Sequence, residues 1–91
     1  MSEINTDVEQ MQAFLDHLRR FDHLLDDEFR SMIGHWRELG GVWSDAKYHE
    51  FGRDLEEVGR GVERYLAAAD GHEAHLARLI ERLTIYLQTR L

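Results

Sequence analysis

Cysteine and proline are both absent from this 91-residue chain. Without cysteine, the chain has no disulfide, no thiolate nucleophile and no cysteine-based zinc site. Without proline, no position forces a kink or an end on a helix. Cations are also few: ten of the eleven basic residues are arginine, scattered between acids, and the formal net charge is -7. Because such a chain repels nucleic acids and anionic membrane surfaces, the sequence predicts neither as a partner.

Long apolar runs are missing too. No segment approaches the roughly 20 apolar residues that a membrane span needs, so membrane insertion is not expected. The N-terminus, residues 1–5, is polar and acidic and has no apolar signal region. The sequence therefore predicts a cytoplasmic protein, and secretion by a route that needs no signal peptide stays open as the alternative.

What the chain does have is a pair of heptad patterns, whose apolar positions recur in steps of three and four, as on one face of a helix. They predict two long helices, at about 6–39 and 45–91, after a disordered tail at residues 1–5. Thr6 and Glu9 fit a capping box at the start of the first helix. The predicted core positions of the first helix are Val8, Met11, Leu15, Leu18, Asp22, Leu25, Phe29, Met32, Trp36 and Leu39. Those of the second are Tyr48, Phe51, Leu55, Val58, Val62, Tyr65, Ala69, His72, Leu76, Leu79, Leu83 and Tyr86.

A glycine-tryptophan segment at 40–45 separates the two patterns. Gly40 is predicted to stop the first helix in a left-handed conformation, and Gly41 lets the chain reverse. Ser44 or Asp45 can cap the second helix. A second soft point lies near 70–71, but the heptad phase continues through it, which favours one long helix over a break.

Folding the helices back on each other predicts a register in which Trp36 lies opposite Tyr48 and Ile33 lies opposite Gly52. Gly59 has no large residue opposite it in this register, which suggests close approach by a partner. The second helix also extends about a dozen residues beyond the first and is apolar on more than one face there. A partner interface is therefore predicted on this overhang, at Leu79, Ile80, Leu83, Tyr86 and Leu87.

The fold class predicted from these patterns is an all-α antiparallel two-helix hairpin, a single domain over residues 1–91, that pairs into a four-helix bundle. Two helices bury only one stripe each, and such hairpins gain stability by pairing. The expected partner is a second copy, as a homodimer, or a related helical-hairpin protein.

Catalytic chemistry is not indicated. The carboxylates lie along predicted helix surfaces, and a two-helix hairpin offers no concave pocket for a substrate. No catalytic residue, metal site or cofactor is predicted, and the protein is not expected to be an enzyme. His72 and His75 are three residues apart, but His72 falls on the predicted core stripe, where a packed histidine is the ordinary explanation.

Trp43, Ser44, Asp45 and Ala46, followed by an aromatic residue at Phe51, resemble the turn of the WXG-motif (ESAT-like) family of small type VII secretion proteins. Asp45 stands where that motif has glycine, and Gly40 and Gly41 supply the flexible turn instead. The C-terminal export pattern of the family, Tyr-x-x-x-Asp/Glu, does not occur. The residues assigned to the turn motif by this resemblance are Gly40, Gly41, Trp43, Asp45 and Phe51.

The resemblance implies a small bacterial helical-hairpin protein that acts by dimerisation, as a type VII secretion substrate or as the partner of a larger effector. In this hypothesis Trp43 and Phe51 fix the hairpin and the overhang recruits the partner. Two alternatives stay open. One is a cytoplasmic dimeric adaptor or assembly protein that is not exported, and the other is a metal-binding bundle that uses histidine and carboxylate ligands.

Overall fold

The computed structural model describes residues 2–89, with side chains from residue 7 onward. Two helices make up this part of the chain: α1, Ser2–Leu39, and α2, Ala46–Thr89, joined by a short turn. No strand occurs among the described residues. The all-α helical hairpin predicted from the heptads is confirmed.

Three details of the helix bounds differ from or refine the prediction. α1 begins at Ser2, so residue 6 lies within the helix and is not its N-terminal cap, and residues 2–5 are helical. α2 runs through Gly71 without interruption, so the continuous helix is correct and the break is not. The predicted end at residue 91 lies outside the described residues.

The chain divides into two compact sections. The turn section is His23–Ala67, which holds the end of α1, the turn and the first half of α2. The terminal section combines the described parts of Met1–Asp22 and Ala68–Leu91. Each section is a pair of helical segments with its own core.

The buried stripe of α2 is displaced by one residue at five of the predicted positions. Tyr48, Leu55 and Ala69 are buried as predicted. At the five displaced positions the residue after the predicted one is more buried: Gly52, Gly59, Glu73, Ile80 and Leu87 face inward in place of Phe51, Val58, His72, Leu79 and Tyr86. Tyr65 and Leu66 are both half-buried. On α1 the predicted stripe holds as far as Phe29, after which half-buried Ile33 replaces exposed Met32.

Glycines explain the displacement in the turn section. The Trp36 indole lies directly over Gly52, where any Cβ would collide with the ring. One heptad earlier on α1, the Phe29 ring lies over Gly59, with Cε1 3.2 Å from where a Cβ would stand. Large rings on one helix therefore fill the space that glycine leaves on the other. Trp36 rather than Ile33 packs on Gly52, and Gly59 serves this hairpin rather than a partner.

The terminal section has a small core in which Leu15, Ala69 and Ile80 are buried. The predicted overhang is largely absent, because α1 has 38 residues and α2 has 44. Ile80 is only 7% exposed and belongs to this core, so it is not available to a partner. Leu83 and Leu87 are half-buried.

Candidate interaction surface

The turn between the helices is held by Asp45, which is the N-terminal cap of α2. Its Oδ1 accepts a hydrogen bond from the Tyr48 backbone N–H at 3.0 Å, the geometry of a capping carboxylate. This hydrogen bond, followed by one from the Trp43 side chain, lowers the pKa of the Asp45 carboxyl. Of the two predicted candidates, Asp45 is the cap. Asp45 thus joins the turn tryptophan to the start of α2.

Tyr48 is the residue around which the turn packs. Its ring is stacked on Trp36 with centroids 4.6 Å apart and meets Trp43 edge-on at 5.3 Å. Its hydroxyl donates to the Trp36 carbonyl oxygen at 2.8 Å, an oxygen that also accepts a hydrogen bond from the Gly40 backbone N–H at 3.2 Å. The predicted pairing of Trp36 with Tyr48 is confirmed.

Two of the predicted turn residues play other roles. Gly40 and Gly41 do not have positive φ, so the left-handed stop at Gly40 is wrong. Gly40 is needed for space, because a Cβ there would collide with the Tyr48 hydroxyl. Phe51 is 50% exposed and does not fix the hairpin. Tyr48 and Gly52 hold that end of α2 instead.

Most exposed apolar side chains of the two helices follow one rule: each directly precedes a residue that lies in or beside the core. Ile85, which is 50% exposed and precedes exposed Tyr86, does not follow it. In the turn section, the side chains that follow the rule form what we term the turn flank, which is Leu24, Met32, Leu39, Phe51 and Val58. In the terminal section, they form the terminal flank, which is Phe14, Phe21, Leu79 and Tyr86. Exposure of these residues ranges from 37% at Leu79 to 58% at Phe14.

Within each section, the flank residues of α1 and α2 lie on the same side. A residue one position before a core residue is rotated about 100° from it around the helix axis, always in the same sense. In antiparallel right-handed helices, equal rotations away from a shared core lead to one common side. The turn section and the terminal section therefore each present a side on which both helices contribute exposed apolar residues.

The charges that border the two flanks have opposite sign. We count as bordering the exposed charged residues and histidines that directly precede a flank residue or lie three or four positions from one. Around the turn flank, the acids are Asp27, Glu28, Glu38, Glu50, Asp54 and Glu57, with Arg20, Lys47, His23 and His35. Around the terminal flank, they are Arg20, Arg78, Arg82, His17 and His75, and the described residues there include no acid.

The other side of the turn section carries a groove of 570 Å³. Its floor is formed by half-buried or buried residues that already pack on each other, among them Phe29, Trp36 and Leu55. Arg30 stands at its edge, bound to Asp26 at 2.8 Å, and this contact raises the pKa of the Arg30 guanidinium. The groove is thus a seam between the two helices of the turn section.

The terminal section contains a pair of acids that sequence reasoning did not identify. Asp22 is 6% exposed and Glu73 faces it from α2. A hydrogen bond with Asp22, together with burial, raises the pKa of the Glu73 carboxyl. Arg19 Nε lies 3.8 Å from Glu73 Oε1 and offsets part of the negative charge. The available signal was the polar Asp22 within an apolar stripe, which calls for a partner on the facing helix.

The histidines lie on the surface. His72 and His75 are both exposed, so the placement of His72 in the core was wrong; Glu73 occupies that position. Among the residues that the structure describes, no cluster of three potential ligands could hold a metal ion. Within the same residues, neither helix has a stretch apolar enough to span a bilayer.

The predicted partner interface is divided between core and surface. Leu79 and Tyr86 are exposed on the terminal flank, where a partner could reach them. Ile80, Leu83 and Leu87 contribute to the section's own packing. Sequence reasoning missed the turn flank and Phe14 and Phe21 as candidates for an interface, because it assigned Met32, Phe51 and Val58 to the core.

Comparison with protein-family models, with curated proteins and with solved structures finds no match to this chain.

Proposed function

We propose that this chain is a non-enzymatic pairing protein, which acts by packing its exposed apolar flanks against another helical hairpin to form a four-helix bundle. The observation that carries the proposal is the pair of one-sided flanks. Scattered apolar residues on a surface need no explanation, whereas a continuous set on one side is typical of an interface. Most of the flank side chains are long or aromatic, and they extend from helices that already have a core.

The surface area supports the same proposal. The chain exposes 7100 Å². A compact monomer of 10.8 kDa would expose about 5,500 Å². The excess of about 1,600 Å² exceeds the roughly 800 Å² that each partner buries in a standard stable interface. Pairing can therefore remove from water the surface that this hairpin leaves exposed.

The turn motif suggests the biological process in which the pairing takes place. Trp43 and Asp45 belong to the motif through which the chain resembles the WXG-motif family. Both contact Tyr48 at the start of α2. We therefore extend the proposal to a type VII secretion substrate, or the partner of a larger effector, exported without a signal peptide. A cytoplasmic adaptor that pairs in the same way but is not exported is the second candidate.

Pairing is tested in the organism that encodes the chain, with a photo-crosslinking residue placed at Val58 or, as the matched control, at Ala67. Both positions are exposed on α2 of the turn section, but only Val58 belongs to the turn flank. The proposal predicts a defined adduct from position 58 that is absent from position 67, and that is lost when Phe51→Asp is added. Equal adducts from both positions, or none from either, would contradict it.

Export is tested separately, from the amount of chain in the culture medium relative to a cytoplasmic marker. A secretion substrate appears in the medium without the marker, and Trp43→Ala lowers the exported fraction. A chain found only inside intact cells would favour the adaptor.

A further inference from the structure

The two facing acids of the terminal section form a contact that responds to pH. Among the residues whose side chains the structure describes, Asp22 is the only charged residue that is buried, with 6% exposure. The side chain of Glu73, which faces it from α2, is 19% exposed. We propose that this pair of acids makes the terminal section open and close with pH while the turn section stays folded. Such a response goes beyond the pairing function and does not depend on it.

Four charged groups set how this contact responds to a proton. From α1, Asp22 and Arg19 face Glu73, and Arg19 Nε lies 3.8 Å from Glu73 Oε1. From α2 itself, Asp70 lies three residues before Glu73 and adds negative charge. The hydrogen bond with Asp22, burial and the two nearby carboxylates raise the pKa of the Glu73 carboxyl, and Arg19 opposes part of this rise. Once Glu73 ionises, three carboxylates therefore surround one cation.

The closed terminal section holds the Glu73 proton more tightly than an open one, in which the carboxyl is in water. Closure is therefore fully favoured below the ordinary pKa of 4.5, and this stabilisation is lost as pH rises through the higher pKa of the closed state. Because one proton is involved, the equilibrium between closed and open changes by no more than about tenfold per pH unit. The terminal section thus opens as pH rises.

The opening is confined to the terminal section because each section has its own core. The buried apolar residues of the terminal section are Leu15, Ala69 and Ile80, a small set that includes one alanine. Residues 23–67 of the turn section include no buried charged residue. The turn section is also held by the stacked rings of Trp36 and Tyr48 and by the hydrogen bond between them. Segments of unequal stability in one protein can open separately.

Opening changes the surface that the terminal section presents. In the closed state Leu15 and Ile80 are buried, and only the terminal flank offers exposed apolar side chains. In the open state the inward faces of the two helical segments separate and become accessible to a partner helix. The pH therefore selects between a closed end that presents its flank and an open end that also presents its core.

Hydrogen exchange at single backbone amides of the wild-type chain tests this response. The rates are followed by NMR between about pH 4.5 and pH 7 and are corrected for the intrinsic effect of pH on exchange. In the terminal section, protection at Leu15 and Ile80 should fall as pH rises, by up to about tenfold per pH unit. At Trp36 and Leu55 of the turn section, protection should stay constant. An equal fall in both sections would mean that the whole hairpin unfolds, and it would overturn the proposal.

Substitution of either acid separates the pair from other groups that titrate in this range. Glu73→Gln should abolish the fall in protection in the terminal section, and Asp22→Asn should reduce it. Glu81→Gln, at an exposed acid of α2 in the same section, removes the same charge and should keep the wild-type dependence. If Glu73→Gln kept the wild-type dependence, another group, such as an exposed histidine, would cause the opening and the proposal would be wrong.

Arg19→Gln changes the same contact in the opposite direction. Without this cation, ionised Glu73 is less compensated, so protection of the terminal section at pH 7 should be lower than in the wild type. Arg78→Gln, at another exposed arginine of this section, is the matched control and should have no effect. Wild-type protection in the Arg19→Gln chain would show that the charges around Glu73 do not control the opening, and it would also overturn the proposal.

Discussion

At the scale of single residues, the most informative is Glu73, an acid that takes the inward position predicted for His72 in the terminal section. Its contact with Asp22, first through a hydrogen bond, raises the pKa of the Glu73 carboxyl. Two ionised carboxylates that face each other in a partly buried site repel each other. The contact between the two acids is therefore favourable while Glu73 is protonated and unfavourable once it ionises.

This arrangement predicts how stability depends on pH. The pKa of Glu73 is raised above its ordinary value of 4.5, so the folded chain holds the proton more tightly than the unfolded chain does. The stabilisation is complete below about pH 4.5 and is lost as pH rises through the folded-state pKa. Glu73→Gln should therefore raise the free energy of unfolding at pH 7 by about 1 kcal/mol, because its amide donates to Asp22 at every pH. Thermal or urea unfolding between pH 4.5 and pH 7 measures this, and the variant should show a flatter profile.

Glu81→Gln, on the exposed surface of α2, is the control for the loss of one negative charge. It should leave the pH dependence of stability as in the wild type. If Glu73→Gln instead lowered stability at pH 7, the contact with Arg19 at 3.8 Å would outweigh the repulsion between the two acids, and the shared proton would have no role.

At the scale of the helices, the sequence predicts the elements of the hairpin but not which face of α2 packs against α1. The two helices, the turn between them, a cap at Ser44 or Asp45 and the pairing of Trp36 with Tyr48 all follow from heptad spacing and turn chemistry. The pattern failed where it ranked neighbours by hydrophobicity, choosing Phe51 over Gly52 and Val58 over Gly59. Aromatic rings one heptad apart on α1 need space, and glycines one heptad apart on α2 provide it. That match was the signal from which the facing could have been found.

The roles of the glycines lead to opposite predictions at two positions. Gly52→Ala should lower the free energy of unfolding by about 1–3 kcal/mol although alanine is the better helix former, because its methyl group collides with the Trp36 ring. Gly34→Ala, in α1 of the same section, meets nothing within 4 Å and should raise that energy by up to about 1 kcal/mol. Urea unfolding of the two variants beside the wild type decides between packing and helix propensity. Stabilisation by Gly52→Ala would mean that the ring moves aside and that the facing of α2 does not depend on it.

At the scale of the whole molecule, the distribution of apolar residues sets what the chain can do alone. Large apolar side chains such as Phe14 and Phe51 are at least half exposed, whereas several inward positions hold small or acidic residues, among them Gly52, Ala69 and Asp22. Glycine and alanine at the inner positions allow close packing of the helices, but they bury little apolar area. Stability and association should therefore be linked, since the flanks hold the apolar surface that the core lacks.

This linkage predicts that the melting temperature rises with protein concentration. When only the folded pair buries the flanks, association favours folding by mass action, and dilution shifts the balance toward unfolded chains. Val58→Asp places a charge on the turn flank, so its melting temperature should be lower and should no longer depend on concentration. Ala67→Asp adds the same charge at an exposed position of α2 outside the flank and should keep the wild-type dependence. Melting curves of the three chains over a hundredfold range of concentration make the comparison, and a wild-type midpoint that stays constant would show that the hairpin folds without burying its flanks.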